Sequence, residues 1–293
     1  MLGPLEASLG GPTVAWRWLL GVLVIPAVLV FVYRLVLPES PRYLVVDGRV
    51  KEANEVLDRL ANNRLRGSKD RVAEQYVTLT EGTRLPRQRV KLADIFRGEL
   101  ARRTTVIWVV SAMTFGAQVT ITVFMPTVLV SRGYDVATSL MYTTIINVGG
   151  LVGAILASVF GYRLKRRSVL TYGAVVAVIV AIAFGASSGM ASIIVFGALL
   201  QMMFILLNTT TWIWAPEIYP TRVRAFGTGS AVTVALVGAS LIPFAGGAVF
   251  DAYGVVGMFV MIGIMYAIMA VTVRFGPETQ GLSLEQVSED RAV

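Results

Sequence analysis

Seven apolar stretches dominate the chain, at roughly 18–37, 104–130, 139–161, 169–186, 191–214, 225–250 and 255–275. Each is close to the ~20 residues that cross a bilayer core as a helix. In hydrocarbon a single segment satisfies its backbone hydrogen bonds only by coiling on itself, so all seven are expected to be α-helices. Only 15% of the residues are charged and 55% are hydrophobic, against roughly 25% charged in a soluble domain. No water-soluble core could bury that much apolar surface. The expected fold is an all-α membrane protein, a polytopic helical bundle with seven transmembrane helices. Its first run ends at Pro38-Glu39-Ser40-Pro41-Arg42 with no small-residue cleavage site, so it is expected to stay in the mature chain.

The net charge of +8 comes from basic residues gathered in the gaps between apolar runs, which is a topology signal and argues against a nucleic-acid partner. Segment 38–103 holds fifteen Lys and Arg and the 162–168 loop four, with Arg222 and Arg224 after the fifth span and Arg274 and Arg291 at the C-terminal end. The alternate loops hold only Arg17 and Arg132. By the positive-inside rule the N-terminus (1–17) lies outside and the tail (276–293) in the cytoplasm of a multi-pass cell-membrane protein. Between the first span (18–37) and a six-helix bundle (104–275), segment 38–103 is expected to be a cytoplasmic helical linker. Val50, Ala53, Val56, Leu57 and Leu60 share one face of a helix over 50–66, Gly67-Ser68 breaks it, and a weaker helical stretch runs toward Pro86. It reads either as a solvated linker or as a lid beneath the bundle.

The chain has no His and no Cys, which removes imidazole acid-base chemistry, thiol nucleophiles and the commonest metal ligands. No enzyme activity, cofactor or metal is expected. Apart from Arg274 at the cytoplasmic end of the seventh, no Asp, Glu, Lys or Arg lies inside the last six spans, so no ionisable relay is visible there. Arg34, near the cytoplasmic end of the first span, can snorkel to the interface.

The polar groups at membrane depth are Thr114, Gln118 and Thr122 at four-residue spacing, Asn147, and Gln201, Asn208 and Trp212. The first three share a helix face, as do the last three. Either they hydrogen-bond between helices, or Gln118, Asn147, Asn208 and Trp212 line a midplane cavity and hold a polar solute. Gly149, Gly150, Gly153, Gly227, Gly229, Gly238, Gly246 and Gly247 read as close-packing positions.

Pro38-Glu39-Ser40 follows the first span and Pro277-Glu278-Thr279 the seventh, six spans apart at the same face and depth. The chain thus reads as the last helix of one six-helix repeat followed by a whole one. Pro38-Glu39-Ser40-Pro41-Arg42-Tyr43, Pro277 through Glu285, and Glu217-Ile218-Tyr219-Pro220-Thr221-Arg222-Val223-Arg224 resemble signatures of the sugar porter branch of the major facilitator superfamily. They are similar to its motifs after the sixth, twelfth and tenth helices. The resemblance implies the C-terminal half plus the sixth helix of a secondary transporter, with five helices absent and the chain a partial one. Its implied partners are a small solute, the lipid bilayer and the missing N-terminal half.

The resemblance also assigns residues. Phe115-Gly116-Ala117-Gln118 is similar to the seventh-helix S-G-x-N, which places Gln118 at a solute-binding position. Trp212 matches the tryptophan of the tenth-helix G-P-x-x-W motif, with Asn208-Thr209 in place of Gly-Pro. Arg163, Arg166 and Arg167 match the arginines after the eighth helix, with Tyr162 in place of that motif's aspartate. Together with Glu217, Arg222, Arg224 and Glu278 they form the expected cytoplasmic gate, whose weak charge pairs latch and release. The departures favour another small polar organic solute over a sugar, moved by alternating access with proton coupling. A sugar transporter and a seven-helix receptor are the alternatives.

Overall fold

The computed structural model describes residues 17–18, 21–22, 24–36, 39–46, 48–61, 76, 91–220 and 223–279, with backbone alone at 34–36, 42–43, 46 and 160–163. The chain divides into two compact units, Met1–Gln88 and Arg89–Val293. In the first lie α1 (Val24–Val36), α2 (Pro41–Val46) and α3 (Val50–Ala61). The described part of the expected first span is the 13 residues of α1, whose side chains from Val24 to Tyr33 are all exposed. An apolar helix with no buried side needs an apolar surround.

Helix α2 was not anticipated. Gly48, at φ 82, turns the chain from α2 into α3, and Arg49 ties the turn by pairing with both Glu39 and Glu52. Leu44 packs on Ala53 and Val56. Leu60, expected on the same face, is 64% exposed. The six residues of α2 reach about 9 Å, too short to cover a third turn of α3. Residues 62–66 of the expected helix, and the stretch toward Pro86 apart from Tyr76, lie outside the described residues.

The second unit opens with a 3-10 turn at Leu92–Phe96 and continues with α4 (Glu99–Ser131), α5 (Val136–Arg163), α6 (Arg166–Ala186), α7 (Met190–Glu217) and α8 (Arg224–Val273). These five are long and apolar enough to cross a membrane. The last is a hairpin of two arms. Its 50 residues would run ~75 Å if straight, over twice a bilayer core. At Gly254 the backbone adopts φ 66, ψ −161, a region essentially confined to glycine. The arms then lie side by side, with the Met261 methyl 3.5 Å from where a Cβ on Gly246 would stand. The expected boundary between spans at 250–255 falls on this break.

Helix pairing follows small residues. Along α4 and the first arm of α8, Trp108 meets Ser230, Ala112 meets Gly238, Gly116 meets Ile242 and Thr120 meets Gly246, so the two run parallel. Helices α5 and α7 also run parallel, with Gly149 against Ala198 and Gly153 against Met202, backbone to backbone. The second arm returns antiparallel to α4, through Thr114 with Met269 and Arg102 with Phe275, and antiparallel to α6, where Gly185 meets Phe259 and Gly263 meets Ile182. Exchanging α4–α5–α6 for α7 and the two arms maps one parallel pair onto the other, the relation expected of two inverted three-helix units. Gly229 departs from the expected packing set, since nothing lies within 4 Å of its Cβ position. Phe204 stacks on Tyr266 at 5.5 Å and Phe184 tilts against Phe259 at 4.4 Å in the core between these helices.

Candidate solute-binding and gating site

Gln118 lies mid-length on α4, and Asn208 and Trp212 lie one turn apart on α7. Asn208 Nδ2 donates to Gln118 Oε1 at 2.8 Å. One turn along, the rings of Phe115 and Trp212 meet edge to face at 6.0 Å. All four side chains are half-buried. Among the described residues no protein group bonds Gln118 Nε2 or Asn208 Oδ1, so the pair keeps donors and an acceptor to offer beside an aromatic wall.

The other polar candidates separate. Thr114 is buried, donating to Val110 O and approaching Met269 Sδ, so it leaves the face shared by Gln118 and Thr122. Thr122 is exposed and its hydroxyl is used on Gln118 O at 2.9 Å. Gln201 packs on Gly150 of α5. Asn147 is exposed on α5, whose neighbouring Ile146 and Gly149 pack on α7, and it makes no hydrogen bond with the Gln118–Asn208 pair. Phe115 joins the cluster. Its place in the Phe115-Gly116-Ala117-Gln118 stretch was the available signal.

At the C-terminal end of α7, Glu217 organises the helix termini. Arg166, at the start of α6, reaches Glu217 Oε1 at 3.3 Å, and Thr279 Oγ1 donates to Glu217 Oε2 at 2.6 Å. Trp214, fully buried, donates its indole N–H to Pro277 O at 3.1 Å. Arg103 donates to Ile218 O and Arg224 to Tyr219 O. The Tyr219 hydroxyl donates to Thr104 Oγ1 at 3.1 Å, and burial raises its pKa above the ordinary tyrosine value. The Glu278 carboxylate accepts the Thr279 N–H at 3.2 Å. Arg222 lies outside the described residues, and Arg163 is described by its backbone, at the end of α5. Arg167 lines a polar hollow with Glu278. Thr279 was missed as a functional side chain, although its tripeptide was noted as a repeat, because a hydroxyl carries no charge to flag it.

These pairs close within one bundle, fastening α4, α6, α7 and the end of α8 to one another. Arg166 and Glu217 are 12% and 25% exposed, so their attraction is screened less than an open surface pair.

A polar, aromatic-walled face between α4 and α7 and a charged seam at one end thus sit in an all-helical bundle of membrane-spanning length. The chain belongs to the family described as sugar (and other) transporter, whose profile matches residues 5–290. It is 29% identical to the inner membrane metabolite transport protein YdjE of Escherichia coli K12, covering 86% of this chain and 56% of that protein. It is 30% identical to the niacin transporter NiaP of Acinetobacter baylyi, covering 94% of this chain and 62% of that one. The chain thus spans about three fifths of the length of these relatives. In fold it is similar to the major facilitator superfamily proton:xylose symporter XylE bound to 6-bromo-6-deoxy-D-glucose, with TM-score 0.68, 19% identity, and coverage of 94% of this chain and 59% of that one. The receptor alternative ends here.

Proposed function

We propose that this chain supplies the C-terminal six-helix half, with one preceding helix and its linker, of a proton-coupled secondary transporter for a small polar organic solute. The first span is α1 together with the residues before it. The N-terminus lies outside and the C-terminus in the cytoplasm, as the loop charges argue. Gln118, Asn208 and Trp212 bind the solute, with Asn147 reaching it from the open side of α5. The seam of Glu217, Arg166, Arg167, Arg163, Arg222, Arg224 and Glu278 holds the cytoplasmic ends while the half rocks.

The observation that carries this reading is the Asn208–Gln118 bond beside Trp212, a half-buried amide pair with unused hydrogen-bonding capacity in an otherwise apolar bundle. A cavity at the midplane is walled by two halves that move against each other, and a proton relay needs an intramembrane carboxylate that these spans lack. The counterpart half supplies both. Niacin, a small aromatic carboxylate carried by one relative, fits the amides and the indole. A sugar is the second reading, favoured by the fold of the xylose symporter.

The test is uptake into proteoliposomes under an inward proton gradient, with labelled niacin and D-xylose as separate arms. The chain alone should accumulate neither. Joined behind the part of the niacin relative that it does not match, it should accumulate one, and Gln118→Ala should abolish most of that uptake. Accumulation by the chain alone would refute the two-half requirement, and accumulation indifferent to Gln118 would return the amide pair to packing.

A further inference from the structure

At the start of α6 two hollows share a wall. One is an apolar groove of about 540 Å³ between α6 and α7, floored by Gly173 and walled by Val169, Val176, Met203 and Leu206. The other is a polar hollow of about 290 Å³ lined by Lys165, Arg167, Arg274, Thr171 and Glu278. Lys165, Ser168 and Tyr172 line both. Three cations face one carboxylate, and among the described residues no ion pair or hydrogen bond engages the side chains of Lys165, Arg167 or Arg274. Glu217, the nearest gate carboxylate in sequence, is taken up by Arg166 and Thr279. The first turn of α6 adds its positive dipole end at the same place.

A groove that is apolar and open along the bundle flank is wetted by acyl chain, and a cationic hollow at its mouth lies where a bilayer changes from chain to headgroup. We propose that the joined hollows hold one anionic glycerophospholipid, its phosphate among Lys165, Arg167 and Arg274, with Ser168 and Thr171 donating, and one acyl chain along Gly173 and Val176. The lipid comes from the leaflet that this end of the bundle meets, the cytoplasmic one in the orientation proposed above. A lipid seated here bridges α6, α7 and the end of α8, the same elements that Arg166 and Glu217 fasten. The site rests on the bundle's place in a membrane and is independent of which solute is carried.

The full chain, purified in detergent, is titrated with palmitoyl-oleoyl phosphatidylglycerol, with the phosphatidylcholine of the same chains, and with soluble glycerol 3-phosphate, and bound lipid is counted by native mass spectrometry. Phosphatidylglycerol should bind about tenfold more tightly than phosphatidylcholine. Lys165→Gln with Arg167→Gln should remove that preference, and Arg274→Gln, at an exposed position, should weaken it without threatening the fold. Lys91→Gln, which removes an exposed charge at the same end of the bundle, should leave it unchanged. Val176→Trp should fill the groove and lower phosphatidylglycerol binding with the cations intact. Equal binding of the two lipids, or a preference that survives both charge variants, overturns the site. Glycerol 3-phosphate competing as well as the lipid overturns the groove and leaves a phosphate pocket.

Discussion

Asn208 and Gln118 stand ninety residues apart in the chain and 2.8 Å apart in space. Their bond crosses from α4 to α7 and ties the two helices together at membrane depth. An amide pair in this setting stabilises a helix contact by about 0.6 kcal/mol on average. That is little enough for a solute to compete for it.

Gln118→Ala and Trp212→Ala should each weaken solute binding in the two-half protein by about 1 to 3 kcal/mol, through a lost hydrogen bond and a lost aromatic surface. Thr122→Ala should cost less, because its hydroxyl is already committed to Gln118 O. A binding titration on each variant gives the comparison. A double-mutant cycle of Gln118→Ala with Asn208→Ala should be non-additive, since both remove one contact.

Arg166→Gln should lower the thermal stability of the bundle by about 1.5 to 3 kcal/mol, because Glu217 keeps its charge in a half-buried place and loses its cation. Adding Glu217→Gln should restore part of the loss. Differential scanning fluorimetry on the single and double variants measures both. A double variant worse than the sum of the singles would contradict the pairing.

Much of this architecture is legible from apolar run length. The ends of the last six spans, including the turn at Gly254, fall within a few residues of the expected places, because hydrocarbon thickness leaves little freedom. Which helix pairs with which is not legible. In α5, α7 and α8 the apolar residues run all round the helix, so periodicity points to no partner, and parallel pairing joins helices far apart in sequence. The same limit explains Thr114, placed with Gln118 by four-residue spacing yet rotated into the core against Met269. Leu60 failed for another reason. Its amphipathic face was real, but the partner helix is only one and a half turns long.

Two glycines separate packing from composition. Gly149→Ala should destabilise the bundle by about 1 to 3 kcal/mol, because the new methyl would overlap the Ala198 carbonyl and push α5 off α7. Gly229→Ala should be neutral or stabilising by up to about 1 kcal/mol, since its Cβ meets open space inside a helix. Unfolding in mixed detergent ranks the two, and equal losses would show that the close approach is not what the glycine serves.

Asp135 caps α5 by accepting the Thr138 N–H at 3.1 Å, and hydrogen bonding from the Thr138 side chain, followed by that N–H, lowers its pKa below the ordinary aspartate value. A lowered folded value means that the cap is fully present above the unfolded pKa of about 3.9 and fades as the pH falls through the folded one. Asp135→Ala should therefore lower the melting temperature at pH 7, and the difference from the parent protein should shrink as the pH falls through the folded value. Asp135→Asn, which can still accept the bond, should remove most of this pH dependence.

The parallel pairing of α4 with the first arm of α8 has a consequence for how the bundle is made. A ribosome releases α4 long before it releases residues 230–246, so Ala112, Gly116 and Thr120 wait in lipid with no surface against them while three helices are threaded. The helices then at hand, α5, α6 and α7, do not carry the residues between 230 and 246 on which this face of α4 packs. The last hairpin to emerge has to slide in beside the first helix and close the bundle. Stalling synthesis between α7 and α8 should leave a set of helices that are inserted yet unassembled, and open to the quality-control proteases that survey the membrane.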